Sequence, residues 1–246
     1  MNKKGIIIAF EGLDCSFKET NYNEFVSRMK SEYGEEKIFT ESFPRYDNES
    51  TINVKKWLQG KFDRNHLMKY PSGVNSLYSI DRLSYWFEED DNGKRMIENL
   101  WDSPDNFFCF DRYNFSNSIY NPKNIKYGKK TSCLDDFTFD SRIFGIPNPS
   151  IVVWMRMKNF DVLADLLSKK ESKDKNETNL DFIHDVWTRM EYVIKWDYCK
   201  ELGLESVVAE CLDENDNIRS REDIANDIWI QTSKIIKNIK ENKENE

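Results

Sequence analysis

The stretch from Ile6 to Lys18 constrains this chain more than any other. Ile6 to Phe10 is an apolar, β-rich run that stops at Gly12, and Lys18 follows just before a helical pattern begins at Thr20. A strand, a glycine, a short intervening segment and a lysine at the mouth of a helix form the arrangement in which backbone N–H groups and a helix N-terminus wrap an anion. Two positions depart from that pattern. Phe17 stands where a glycine lets the backbone turn closely against phosphates, and Glu19 stands where a Ser or Thr hydroxyl reaches Mg²⁺, although Thr20 keeps a second hydroxyl. Glu19 is either an anionic ligand for Mg²⁺ or a charge that repels the phosphate. On these residues alone, a buried first strand ending in an ordinary turn with a surface lysine explains the stretch equally well.

Length and composition narrow the classes. A chain of 246 residues fits one α/β domain with a real core. The apolar content of 39%, the aromatic content of 14% and seven tryptophans argue for a packed globule. The 33% of charged residues and a mean hydropathy of −0.76 argue for high solubility. No segment approaches a membrane span, and the opening MNKKGIIIAFEG has too short an apolar run for a secretory signal, so a cytoplasmic protein is expected. Five cysteines (Cys15, Cys109, Cys133, Cys199, Cys211) without close pairing fit reduced thiols better than a disulfide frame or a zinc site. Only His66 and His184 are available for a histidine-based metal site, and both read as surface or packing residues. A net charge of −8 disfavours a nucleic-acid partner but leaves room for a local basic site that takes a small phosphorylated ligand.

Further chemistry stands at the strand ends. Residues 37–43 (KIFTESF) alternate as a second strand that ends at Pro44 and Arg45, and 106–111 (NFFCFD) is a third, apolar strand ending in Asp111 and Arg112. Open α/β sheets bind ligands at the carboxyl ends of their strands. Asp111 is placed to hold Mg²⁺ directly or through water, and Arg112 to touch a phosphate; a helix cap beside a surface charge is the plain alternative. On the helical segment 73–88, Tyr78 and Arg82 lie four residues apart on one face, which suits a nucleobase and its phosphate, or equally a core tyrosine with an exposed arginine. Residues 150–157 (SIVVWMRM) form a near-continuous apolar strand of the kind covered on both faces. The segment SKKESKDKNETN that follows the next helix is a charged loop whose lysines, Lys169 and Lys170 first among them, could close over a nucleotide or simply be solvated. A long amphipathic helix over 180–202, a short strand within 205–210 and a helix over 224–239 complete the chain.

Taken in order, FEGLDCSFKET, FPR, LYSIDR, FDRYNFSNSIY, GIPNPSIVVWM and LDFIHDVW resemble the thymidylate kinases, a branch of the P-loop nucleoside monophosphate kinases, over nearly the whole chain. The resemblance implies a three-layer α/β/α fold with a five-stranded parallel sheet, one domain over 1–240 with a lid at about 168–180, and a charged tail at 241–246. It implies transfer of the γ-phosphoryl of ATP to dTMP with Mg²⁺, and permits a homodimer. Catalysis would fall to Lys18, Asp14 and Arg112. Gly12, Lys18, Glu19, Thr20, Lys169 and Lys170 would hold ATP, and Asp111 with Glu19 the metal. Asp14 would contact the acceptor's sugar, Arg45 and Arg82 its phosphate, and Tyr78 its base, with Asp111 and Arg112 beside them. Phe17 and Glu19 disturb the ATP half, which leaves open a weakened relative that binds nucleotide as a sensor, scaffold or subunit, or a kinase for a different or modified pyrimidine nucleotide.

Overall fold

The computed structural model describes residues 4–67, 69–120, 137–170 and 178–244. Cys133, Lys173, Lys175 and most of the expected lid lie outside the described residues. The elements run β1 (Ile6–Gly12), α1 (Lys18–Tyr33), β2 (Ile38–Ser42), α2 (Ile52–Leu58), α3 (Arg64–Leu67), α4 (Pro71–Phe87), α5 (Met96–Asp102), β3 (Phe107–Asp111) and α6 (Phe115–Ile119). Then come α7 (Phe139–Phe144), β4 (Ile151–Arg156), α8 (Phe160–Ser168), α9 (Leu180–Lys195), α10 (Tyr198–Glu201), β5 (Glu205–Glu210) and α11 (Arg221–Glu244).

The five strands form one sheet in the order β2-β3-β1-β4-β5, and every pairing is parallel. Helices cover the sheet, which is the expected three-layer α/β architecture. Period-two alternation in β1 splits its side chains between two clusters. Ile6, Ile8 and Phe10 pack with Tyr22, Phe25 and Met29 of α1. Ile7 and Ala9 pack with Tyr85 and Trp86 of α4 and Leu100 of α5. Every residue of β1 and β3 is buried, which is why these strands read as continuous apolar runs.

The order places β1 at the centre, so its carboxyl tip is flanked by those of β3 and β4. The chain leaves β1 for the edge strand β2, returns to β3 and then crosses to β4 on the other side; this reversal is where open α/β sheets form a ligand crevice. Register makes the placement specific. Phe10 lies opposite Asp111, Ser42 opposite Asp111, and Gly12 opposite Met155.

Two expectations change. The helix expected over 180–202 ends at Lys195, because Asp197 turns left-handed (φ 47°) and its carboxylate caps α10 by accepting from Lys200 N at 3.4 Å. Asp competes for backbone donors in this way and tolerates that conformation. The last helix, in contrast, outruns expectation at both ends. Ser220 Oγ accepts from Asp223 N at 3.1 Å at its start, and Lys237 pairs with Glu241 at 3.8 Å near its end. Cys15, Cys109, Cys199 and Cys211 are free thiols. Among the described residues no helix is long and apolar enough to cross a membrane.

Candidate functional site at the carboxyl tips of the strands

The turn from β1 to α1 is tight. A Cβ on Gly12 would stand 2.8 Å from Ser16 Oγ and 2.9 Å from Met155 Cβ, so the close approach of the loop to β4 requires glycine. Gly12→Ala is therefore expected to cost about 1–3 kcal/mol through overpacking, read as a lowered midpoint in urea; an unchanged midpoint would show that the loop can move aside. Within the turn Ser16 Oγ donates to Leu13 O at 2.7 Å. Cys15 (φ 62°) and Phe17 (φ 59°, ψ 21°) are both left-handed. For residues with a Cβ that conformation costs about 1–2 kcal/mol each. The phenylalanine at the glycine position thus adopts the turn the loop needs, and its ring is partly buried against the core beneath the loop. Asn21 N and Nδ2 both donate to Phe17 O, at 3.1 and 2.8 Å, and so hold the turn to α1.

Lys18 opens α1, so its charge sits beside the unpaired N–H groups of the first turn. Its side chain is buried, and its Nζ forms an ion pair with Asp111 at the tip of β3. Burial, and after it the neighbouring Arg112 charge, pushes the Lys18 ammonium down to about 7, while the Glu11, Asp14 and Glu19 carboxylates act the other way. Arg112 is again left-handed (φ 64°), with its N–H on Phe10 O at 2.9 Å. Its guanidinium crosses the mouth of the loop. One Nη reaches Gly12 O at 2.9 Å and Tyr120 OH at 3.2 Å, and the other reaches Asp14 Oδ1 at 2.6 Å.

These groups border a pocket of about 360 Å³, lined by Asp14, Lys18, Glu19, Thr20, Asp111, Arg112 and Lys170, with Leu13, Cys15 and Phe17. A volume near the lower end of the range usual for small-molecule sites suits a phosphate group and part of its nucleoside. Lys170 reaches the lining, whereas Lys169 pairs on the surface with Asp165 at 2.5 Å. Among the described residues no three His, Cys, Asp or Glu side chains gather to hold a metal by themselves. Asp111 and Glu19 are nevertheless hard oxygen donors on one pocket, and Mg²⁺ is commonly held by one or two carboxylates together with substrate phosphates. That donor set fits a magnesium that arrives on a nucleotide.

Arg45, Tyr78 and Arg82 stand outside this lining. Arg45 is fastened to Asp81 of α4: its N–H donates to Oδ2 at 2.8 Å, its Nε to Oδ1 at 2.9 Å and one Nη to Asp81 O at 2.9 Å. Arg82 is 2% exposed, and its Nε donates to Asp140 Oδ2 at 2.5 Å. Ser79 and Asn117 complete the shell of Asp140. Tyr78 is half-buried. The α4 face that pairs Tyr78 with Arg82 thus carries a half-buried tyrosine and a buried, paired arginine.

Sequence reading also passed over Glu11. It is fully buried at the tip of β1; one carboxylate oxygen accepts from Tyr113 N at 2.9 Å and Ser116 N at 3.2 Å, and the other from Ser116 Oγ at 2.6 Å. The available signal was a charged residue inside an apolar strand run, since carboxylates are rarely fully buried without partners.

Comparison with known proteins fits this geometry. No family model matches the sequence, and no curated protein matches it. Among solved structures, thymidylate kinase from Candida albicans aligns with a TM-score of 0.63 at 17% identity, over 95% of this chain and 94% of that one. Thymidylate kinase from Ehrlichia chaffeensis aligns with a TM-score of 0.56 at 14% identity, over 95% of this chain and 99% of that one. With a parallel sheet of matching architecture and a lysine-bearing loop after its central strand, the chain has the thymidylate kinase-like P-loop kinase fold.

Proposed function

We propose that this chain is a nucleoside monophosphate kinase that moves the γ-phosphoryl of ATP to dTMP. The observation that carries the reading is the meeting of Lys18, Asp111, Arg112 and Asp14 at one pocket on the carboxyl tips of β1 and β3, beside the N-terminus of α1. Phosphoryl transfer asks for little covalent work. Two anions must be held in line and their repulsion offset in a site closed to water. Lys18 and the first-turn N–H groups of α1 would hold the donor phosphates, with Thr20, Glu19 and Lys170 around them. Bound with ATP, Mg²⁺ would neutralise charge on the phosphates, and Asp111 and Glu19 are the side chains that would hold it. Arg112 would serve the group in transit, and Asp14 the acceptor sugar. Arg45 and Arg82 would hold the acceptor phosphate and Tyr78 its base; each arginine reaches a phosphate only by leaving its aspartate. The reading extends to a cytoplasmic enzyme that acts alone or as a homodimer.

A second reading, a nucleotide-binding protein with weakened transfer, has its own support. Lys18 and Arg112 are already neutralised by Asp111 and Asp14, and Glu19 adds a further negative charge to the pocket. Steady-state assay with ATP, dTMP and Mg²⁺ separates the two. The kinase reading expects a turnover of roughly 1–100 per second, lost when magnesium is chelated. A much slower rate that rises at least tenfold in Phe17→Gly/Glu19→Ser would favour the second reading instead.

A further inference from the structure

Glu11 has no part in the transfer as described, yet it is a fully buried carboxylate in the strand that leads into the phosphate loop. Its two oxygens collect three donors from a single turn that lies 102 and 105 positions further along the chain. That turn follows β3 and begins with Arg112. The Tyr113 N–H bound by Glu11 belongs to the peptide unit immediately after Arg112, so the glutamate fixes the plane that follows a left-handed residue. The Phe10 carbonyl fixes the plane before it, by accepting from Arg112 N at 2.9 Å. Adjacent residues of β1 therefore grip both peptide units around Arg112.

We infer that Glu11 is a positioning residue: it clamps the turn after β3 to the tip of β1 and thereby aims the Arg112 guanidinium across the phosphate loop. Without the clamp, nothing in the local sequence of residues 112–116 favours a positive φ at an arginine, because a Cβ disfavours that region. The clamp also carries charge. Glu11 brings a buried carboxylate to the turn that carries Arg112. A neutral replacement loses the charge outright and weakens the clamp, since an amide keeps only an uncharged acceptor for the Tyr113 and Ser116 N–H groups and must meet Ser116 Oγ as a donor instead of an acceptor.

The test uses the full chain with ¹⁵N-labelled arginine. In the native protein the Arg112 guanidinium, held by Gly12 O, Tyr120 and Asp14, is expected to give separate, slowly exchanging Nη signals, assigned by their loss in Arg112→Lys. In Glu11→Gln those signals should merge while far-ultraviolet circular dichroism shows the fold intact. Separate Arg112 signals in folded Glu11→Gln would overturn the proposal. Should Glu11→Gln fail to fold, Ser116→Ala removes one of the three bonds and should broaden the same signals; unchanged signals there would also overturn it. A kinetic arm rests on the proposed kinase reading. Glu11→Gln should lower kcat at least tenfold with KM for both nucleotides altered less than threefold, and should add less than threefold in an Arg112→Lys background, the non-additivity expected of groups acting through one another. Additive losses in that cycle would overturn the proposal. Absence of turnover in the native chain would defeat the kinase reading alone, because the Arg112 spectrum decides the role of Glu11 without substrate.

Discussion

On the proposed kinase reading, replacing Lys18 with methionine is expected to lower phosphoryl transfer from ATP to dTMP by about 10²- to 10³-fold, the loss typical when one preorganised charge is removed from a transition state. The argument rests on position. Lys18 stands at the first residue of α1, inside the pocket and against Asp111. An exposed lysine elsewhere on the helix would donate only a screened charge. The side chain is buried and paired, so the substitution also strands the Asp111 carboxylate, and part of any loss could come from the fold. Measuring kcat for Lys18→Met and for Lys18→Met/Asp111→Asn, alongside urea midpoints, separates the two contributions. The double variant should regain stability without regaining rate. If Lys18→Met retains more than a tenth of native turnover, the phosphate-loop assignment of this lysine is wrong.

Asp140→Ala should be the most destabilising change of a single polar side chain, by about 3–5 kcal/mol, because it leaves a buried guanidinium uncompensated. Side-chain exposures of 3% for Arg82 and 1% for Asp140 put the pair in the interior, where water cannot replace the lost partner. Ser79 and Asn117 lose their acceptor together with Arg82. Equilibrium urea unfolding reads the cost directly. Arg82→Met/Asp140→Leu should recover most of it, since replacing both members of a buried pair with apolar groups is often close to neutral. A loss below about 1 kcal/mol for Asp140→Ala would mean that Arg82 finds another partner and that the pair is not a structural anchor.

The pair also marks a limit of reading the chain residue by residue. Arg82 stood out from the sequence because it lies one turn from Tyr78 on a helix, and helical spacing alone puts both on one face. Nothing in that spacing reveals Asp140, which stands on α7 and meets Arg82 across 58 positions. Arg45 is a similar case: its exit from β2 after Pro44 was legible, but its capture by Asp81 was not. Glu11 was hidden for the opposite reason, since a charged letter within an apolar strand run is easily absorbed into the strand.

Sequence alone determined the three central strands of an α/β sheet, because strands buried on both faces are continuous apolar runs, as in Ile6–Phe10, Phe107–Phe110 and Ile151–Met155; β2 and β5 expose alternate residues and left no such run, and the five-stranded parallel sheet was implied by the family resemblance. Sequence also singled out the glycine and lysine of the first turn as candidates for a phosphate loop, while the left-handed turn at Phe17 came only from the structure. Only the tertiary structure decided which charges face one another. Ion pairs such as Lys18 with Asp111, Arg112 with Asp14 and Arg82 with Asp140 join residues far apart in the chain, and Coulomb energy depends on distance through space and on local burial, neither of which a linear pattern encodes.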